Sequence, residues 1–237
     1  MNRVALAIGF LVLGIVLGFY LGGHLGGDKV VLEPRGISGG RQNVLPPGND
    51  RKPAPGAPLV DSKWLENAFA GIAPSRGGER ARITIVEFSD FNCRYCAGMA
   101  GVLDRVWDSY GDKVRIIFKH NPFPGHPLSL EAHKASVAAF QQGRFWEMQT
   151  LLFANQETLD SRSLRAHANL LGLNMEQFED DLESAEVEGI VERDIAQAKA
   201  ADVSRVPTLF LNGMKLQGGF TYELLVDRIE KELGRTE

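Results

Sequence analysis

Cys93 and Cys96 are the only cysteines in the 237-residue chain, and only Arg94 and Tyr95 separate them. Two sulfurs at this spacing can close into a short disulfide and open again, taking two electrons from a partner or giving them back. The thiolate is the attacking species, so such a pair needs one cysteine with a depressed pKa. The flanking residues suggest how that is arranged. Ile83-Thr84-Ile85-Val86-Glu87-Phe88 reads as a buried strand. After Cys93, Met99, Val102, Leu103, Val106, Trp107 and Tyr110 recur at helical spacing and stop at Gly111. The pair thus sits where a strand gives way to a helix. The free N–H groups and positive dipole end of a first helical turn favour a thiolate at Cys93, with the Arg94 cation beside it. Cys96, one turn further in, would resolve the exchange.

Two other uses of the cysteines were weighed. A structural zinc site wants about four ligands, often a second CxxC or paired histidines. No second pair exists, and His120, His126, His133 and His167 lack a compact ligand spacing, so no metal is expected. A purely structural disulfide would close so short a loop with little entropic gain.

The elements that must position the pair extend to the C-terminus. Val114-Arg115-Ile116-Ile117-Phe118-Lys119 reads as a second strand, completing a strand–helix–strand unit. Residues 128–201 read as helical: one segment opens at Ser129 and ends near Gly143, and another runs from Asp160 to Gly172. Asn174 with Gln177, and then Ser184, mark two further helix starts. Thr208–Leu211 and Met214–Leu216 flank Asn212-Gly213, a strong hairpin signal, and a closing helix begins near Thr221.

The N-terminal third has a different character. Residues 4–23 carry no charge and are mostly apolar, with Arg3 ahead and Asp28-Lys29 behind. In helix they would span about 30 Å, the hydrocarbon thickness of a bilayer. The run exceeds the h-region of a cleaved signal peptide, and no clear A-x-A site follows, so an uncleaved anchor is expected, with Arg3 inside and the remainder exported. Gly14, Gly18 and Gly22 form overlapping GxxxG motifs, a weak signal for helix pairing. Residues 33–60 hold six prolines and five glycines, 11 of 28 positions, and read as a disordered tether with a reach of about 30 Å. Trp64, Leu65, Ala68, Phe69 and Ile72 suggest a short amphipathic helix. The expected division is an anchor at 1–28, a linker at 29–60 and a redox domain at 61–237. Net charge is −4 and no basic cluster with interleaved aromatics occurs, so nucleic-acid binding is unsupported.

The run Thr84-Ile-Val-Glu-Phe-Ser-Asp-Phe-Asn-Cys-Arg-Tyr-Cys96 resembles the DsbA-like family of exported thiol–disulfide oxidoreductases, and so does Val206-Pro207-Thr208-Leu-Phe-Leu-Asn-Gly213. The likeness covers about residues 74–234, with the helical stretch in the place of the family's insertion. It implies an α/β thioredoxin-like fold with a helical insertion, here preceded by a transmembrane helix. It also implies Cys93 as the attacking cysteine, Cys96 as the resolving one, and a cis Val206–Pro207 peptide facing them as the client-binding backbone. No cofactor is implied beyond the redox-active disulfide itself. The expected partners are exported proteins with thiols or disulfides, and a membrane quinone-linked partner that reoxidises the pair. Valine before the proline is more usual among the family's oxidants; a reductase or isomerase, or a tethered binding module, are the alternatives. Similar proteins place an acid and a lysine beneath the redox pair where Glu87 and Lys119 stand. The best-known members have Pro-His between the cysteines, whereas this chain has Arg94-Tyr95, two positions that tune the couple. His120 and His126 read as structural or solvent-facing.

Overall fold

The computed structural model describes residues 73–78, 80–217 and 220–234. The expected anchor, the linker and the amphipathic segment up to Ile72 lie outside them. Among the described residues no helix is long and apolar enough to cross a membrane.

Five strands form one sheet in the order β1-β3-β2-β4-β5: β1 Ser75–Arg76, β2 Ile83–Ser89, β3 Val114–His120, β4 Thr208–Leu211 and β5 Met214–Lys215. β2 is central, parallel to β3 from Ile83 opposite Val114 to Ser89 opposite His120, and antiparallel to β4. A central strand covered on both faces needs a continuous apolar run, which is why β2 and β3 do not alternate. α1 Arg94–Tyr110 connects the two parallel strands. Asn212 and Gly213 adopt φ of 45° and 83°, the left-handed pair a tight hairpin between β4 and β5 demands. The chain closes with α7 Tyr222–Gly234.

The two sheet faces bury different partners. Ile83, Ile85, Val114, Ile116, Leu209 and Leu211 pack against Met99, Leu103 and Val106 of α1 and Leu225 and Ile229 of α7. Val86, Phe88, Ile117 and Phe210 face the other way, onto Ala198. That alanine belongs to α6 Ala185–Ala200, the last of five inserted helices. Before it come α2 Ser129–Gln141, α3 Phe145–Ala154, α4 Ser161–Leu170 and α5 Met175–Leu182. They build a core of their own around Ala135, Ala139, Phe145, Met148, Leu164 and Phe178, into which Phe91 and Phe118 project from the sheet side.

Three caps stand where the sequence places them: Asp160 accepts from Ser163 N, Asn174 from Gln177 N and Ser184 from Val187 N, each at 3.0–3.1 Å. Ser129 does not cap. It is the first residue of α2, and its hydroxyl donates to the buried Asp90 carboxylate instead. α3 has no sequence signature, because FWEMQTLLFA is apolar on several sides and Arg144 at its N-cap position supplies no capping side chain.

Glu87 and Lys119 are both buried but lie on opposite faces of the sheet. Glu87 pairs in register with Phe118, so Lys119 shares its side with Phe88. The lysine reaches Asp194 of α6 at 3.0 Å, both side chains fully enclosed, and Asp194 also accepts from His120 N at 3.1 Å. Burial drives the Lys119 pKa down and the Asp194 pKa up, and each charge opposes the shift in the other. This pair pins α6 to β3. It is not the acid–lysine couple beneath the cysteines that the resemblance implies.

Replacing Lys119 by Met should strand Asp194 in the core and cost about 3 kcal/mol in urea denaturation. The double variant Lys119→Met/Asp194→Leu should recover most of that loss. A single variant within about 1 kcal/mol of the parent would show that the pair is not holding the insertion.

Candidate active site

Cys93 is the N-cap of α1, with extended backbone (φ −103°, ψ 116°), and only 7% of it is exposed. Its backbone N–H donates to Asp90 O at 3.1 Å, which makes the turn from β2 into the helix. Both sulfurs are free thiols here. The Cys93 sulfur makes no capping hydrogen bond of ordinary length, yet its pKa is lowered to about 6. The largest cause is the Cys96 thiol donating toward it; burial opposes this, and the N–H groups of Cys96 and Tyr95 add to the lowering. The first helical turn therefore stabilises the thiolate as the sequence suggests. The Arg94 cation also interacts favourably with the Cys93 thiolate, as expected. It is exposed, its guanidinium lies 4.8 Å from the Tyr95 ring centre, and it donates to the Tyr95 hydroxyl at 2.9 Å.

Cys96 is fully enclosed, and burial pushes its pKa well above the ordinary thiol value, helped by Cys93 and by the charge of Glu87. The two sulfurs thus differ sharply in thiolate stability one turn apart. Across the cleft, the Val206–Pro207 bond is cis and Val206 O lies 3.8 Å from Cys93 Sγ, so the backbone the resemblance names does face the reactive sulfur.

Glu87 stands on the α1 side of the sheet, 1% exposed, with its pKa raised to about 8. Burial is the main cause, and Ser89, donating its hydroxyl to Glu87 Oε1 at 2.9 Å, holds the value back. The Ser89 side chain also draws the Cys96 pKa down, so it stands close to both the acid and the resolving sulfur. A carboxyl group poised near neutrality can give and take the proton that Cys96 needs as it leaves or attacks.

Sequence reasoning missed Ser89 and Asp90. Asp90 N donates to Cys96 Sγ at 3.4 Å. Its fully buried carboxylate accepts from Asn92 N and Phe123 N at 2.8 Å each and from Ser129 Oγ, with His126 Nδ1 at 2.6 Å. The His133 side chain, then Ser129 and the N–H groups of Asn92 and Phe123, hold it ionised, far below the usual carboxylate range, against the cost of burial. The available signal was an acid three residues before the first cysteine, just beyond the end of an apolar strand. His126 is accordingly part of the site's support. His120 is buried, its Nδ1 2.9 Å from that of His133, and desolvation lowers both pKa values. Among the described residues no three His, Cys, Asp or Glu side chains cluster as a metal would require.

In the dithiol protein the Cys93 thiolate should appear with a midpoint near pH 6 when its ultraviolet absorbance is followed. Its reactivity toward a small disulfide should rise through that pH and then level off. Cys96→Ala removes the largest stabilising group and should move the midpoint upward, and Arg94→Gln should move it in the same direction by less, because that cation is exposed and screened. A parent midpoint near the free-cysteine value of about 8.5 would contradict this account of the site.

Comparison with known proteins agrees with the geometry. The family model described as Thioredoxin matches residues 71–231. Among curated relatives, the Na(+)/H(+) antiporter NhaA of Herminiimonas arsenicoxydans is 40% identical over 145 residues, covering 61% of this chain and 23% of the antiporter. NhaA 1 of Mycolicibacterium gilvum is 36% identical over 162 residues, 67% of this chain and 26% of that one. The chain thus spans about a quarter of the length of these relatives. Among solved structures, a thioredoxin-like oxidoreductase from Silicibacter pomeroyi has a TM-score of 0.65 at 25% identity, covering 73% of this chain and 98% of that one. The thiol–disulfide exchange protein alpha-DsbA2 of Wolbachia pipientis has a TM-score of 0.66 at 17% identity, over 72% and 92%. BdbD of Bacillus subtilis has 0.61 at 24%, over 68% and 93%. With the Cys93–Cys96 pair at the start of α1 and five helices inserted ahead of the cis-proline strand, the chain shares its fold with these structures and belongs to the thioredoxin family.

Proposed function

We propose that the protein is a membrane-anchored, extracytoplasmic oxidoreductase that passes the Cys93–Cys96 disulfide to the thiols of exported client proteins. The observation that carries this reading is the asymmetry of the pair. Cys93 stands at the cleft with a pKa lowered to about 6 and Val206 O at 3.8 Å, while Cys96 is enclosed beneath it. A client thiolate attacks Cys93 Sγ, the Cys93–Cys96 bond breaks, and Cys96 departs as a thiolate that takes up a proton. Glu87, reached through Ser89, is the group placed to supply it. A second client thiol gives up its proton, which replaces the one drawn from Glu87, and displaces Cys93 as a thiolate, so the client gains a disulfide and the enzyme keeps two electrons and one proton, carried on Cys96. A client segment in extended form can meanwhile pair with the main chain at Val206. A quinone-linked membrane protein would withdraw the electrons and restore the disulfide.

Oxidation is favoured over reduction because stabilising the Cys93 thiolate stabilises the reduced form alone. The membrane placement rests on the apolar run at residues 4–23. It agrees with curated relatives that are antiporters by name, although antiport itself is not proposed for a chain spanning about a quarter of their length.

With Cys96 replaced by Ala, Cys93 should trap exported proteins as mixed disulfides that a reductant releases. Glu87→Gln should fold normally and remove the inflection near pH 8 from the resolving step. If no client accumulates on Cys93 in the trapping variant, the exchange function fails and a tethered binding module takes its place.

A further inference from the structure

We infer that the rim around Cys93 selects client segments carrying carboxylates beside their cysteine. The inference rests on the exchange function proposed above and names its substrate class. Two exposed arginines flank the reactive sulfur. Arg94 follows Cys93 as the first residue of α1, and Arg205 immediately precedes Val206, whose carbonyl lies 3.8 Å from Cys93 Sγ. Neither has a carboxylate partner among the described residues. Arg94 is laid over the Tyr95 ring and spends one donor on its hydroxyl, leaving the rest of the guanidinium fork for a ligand. Arg205 is fixed at the backbone, where Thr208 Oγ1 donates to its carbonyl at 2.7 Å. The Arg94 guanidinium is thus held at a defined place, and Arg205 carries a second, exposed cation on the segment whose backbone faces Cys93.

The exposed residues next to Cys93 and Val206 are cationic, with exposed Asp202 three positions before Arg205. Net charge is −4, and α2, α3, α5, α6 and α7 each carry a glutamate in the first turn. The first turn of α1 carries no acid, although the helix dipole would favour one there. The acids close to the cysteines, Glu87 and Asp90, are buried, and the Asp90 oxygens are taken up by their neighbours. Exposed Glu157 adjoins Gln156, whose carbonyl accepts from Asn92 Nδ2 at 3.0 Å, and so bounds the cationic rim on the insertion side. A segment pairing with Val206 runs past Arg205 while its cysteine meets Cys93 beside Arg94. Aspartate or glutamate next to that cysteine gains from both cations, and lysine there is repelled.

The test uses the full-length oxidised protein and three dithiol peptides that differ only in carrying Asp, Ser or Lys beside each cysteine. The rate constant for reducing the enzyme is measured at low salt. Each value is normalised to that peptide's rate with a small neutral disulfide, which removes the effect of the flanks on its own thiols. Two exposed ion pairs predict about a tenfold advantage of the Asp peptide over the Lys peptide. The advantage should shrink to about twofold or less in Arg94→Gln/Arg205→Gln and in about 0.5 M salt. Equal rates for Asp and Lys peptides in the parent, or a preference that survives in the double variant, would overturn the inference and leave the exchange function standing. Failure of all three peptides to reduce the enzyme would overturn both.

Discussion

The Asp90 carboxylate is the constraint on which the redox centre depends. Its main chain touches both cysteines, donating to Cys96 Sγ and accepting from Cys93 N. Its side chain joins three pieces of chain: its own turn through Asn92, the β3–α2 connection through Phe123 and His126, and the start of α2 through Ser129. Burying a carboxylate costs several kcal/mol, and hydrogen bonds to a charged group each return about 1.5–3. Several such bonds are needed to make the burial favourable, so the inserted helices and the cysteine turn must be in register before the anion is satisfied. His126, partly exposed, brings the edge of this network to solvent.

The chemistry follows from what surrounds that turn. One helical turn separates a sulfur that accepts hydrogen bonds at the helix start from a sulfur sealed in the core, and this distance splits their thiolate stabilities in opposite directions. Glu87 belongs to the same logic. It sits on the sheet face that α1 covers, where burial keeps it protonated to about pH 8 and Ser89 connects it to the resolving sulfur. Lys119 belongs to another part of the molecule, since a one-residue offset in register puts its side chain on the opposite face with Asp194.

What the sequence made legible was what local rules govern. The β2 and β3 runs and the α1 face show as local patterns of apolar residues, and the caps at Asp160, Asn174 and Ser184 and the Asn212-Gly213 hairpin rest on contacts within a few residues. The cysteines announced themselves by spacing, and the cis Val206–Pro207 bond opposite them came from the resemblance. What stayed hidden depends on distant partners. Ser129 opens α2 as read, but the use of its hydroxyl by Asp90, 39 positions away, is a tertiary fact. α3 carries its apolar residues on too many sides to show a helical stripe. Arg94 does interact with the Cys93 charge, as its adjacency suggests, but the second thiol and the backbone N–H groups are the larger influences, and its guanidinium also binds the Tyr95 hydroxyl.

The central claim is that the dithiol form is stabilised through the Cys93 thiolate, and the reduction potential of the Cys93–Cys96 couple measures that stabilisation most directly. Equilibrating the protein with glutathione buffers of graded ratio, and counting free thiols at each, gives the value. The account predicts a potential above about −200 mV, on the oxidising side of the glutaredoxins. A potential near the thioredoxin value of about −270 mV would contradict it, because the thiolate at the start of α1 would then give the reduced protein no advantage over its disulfide.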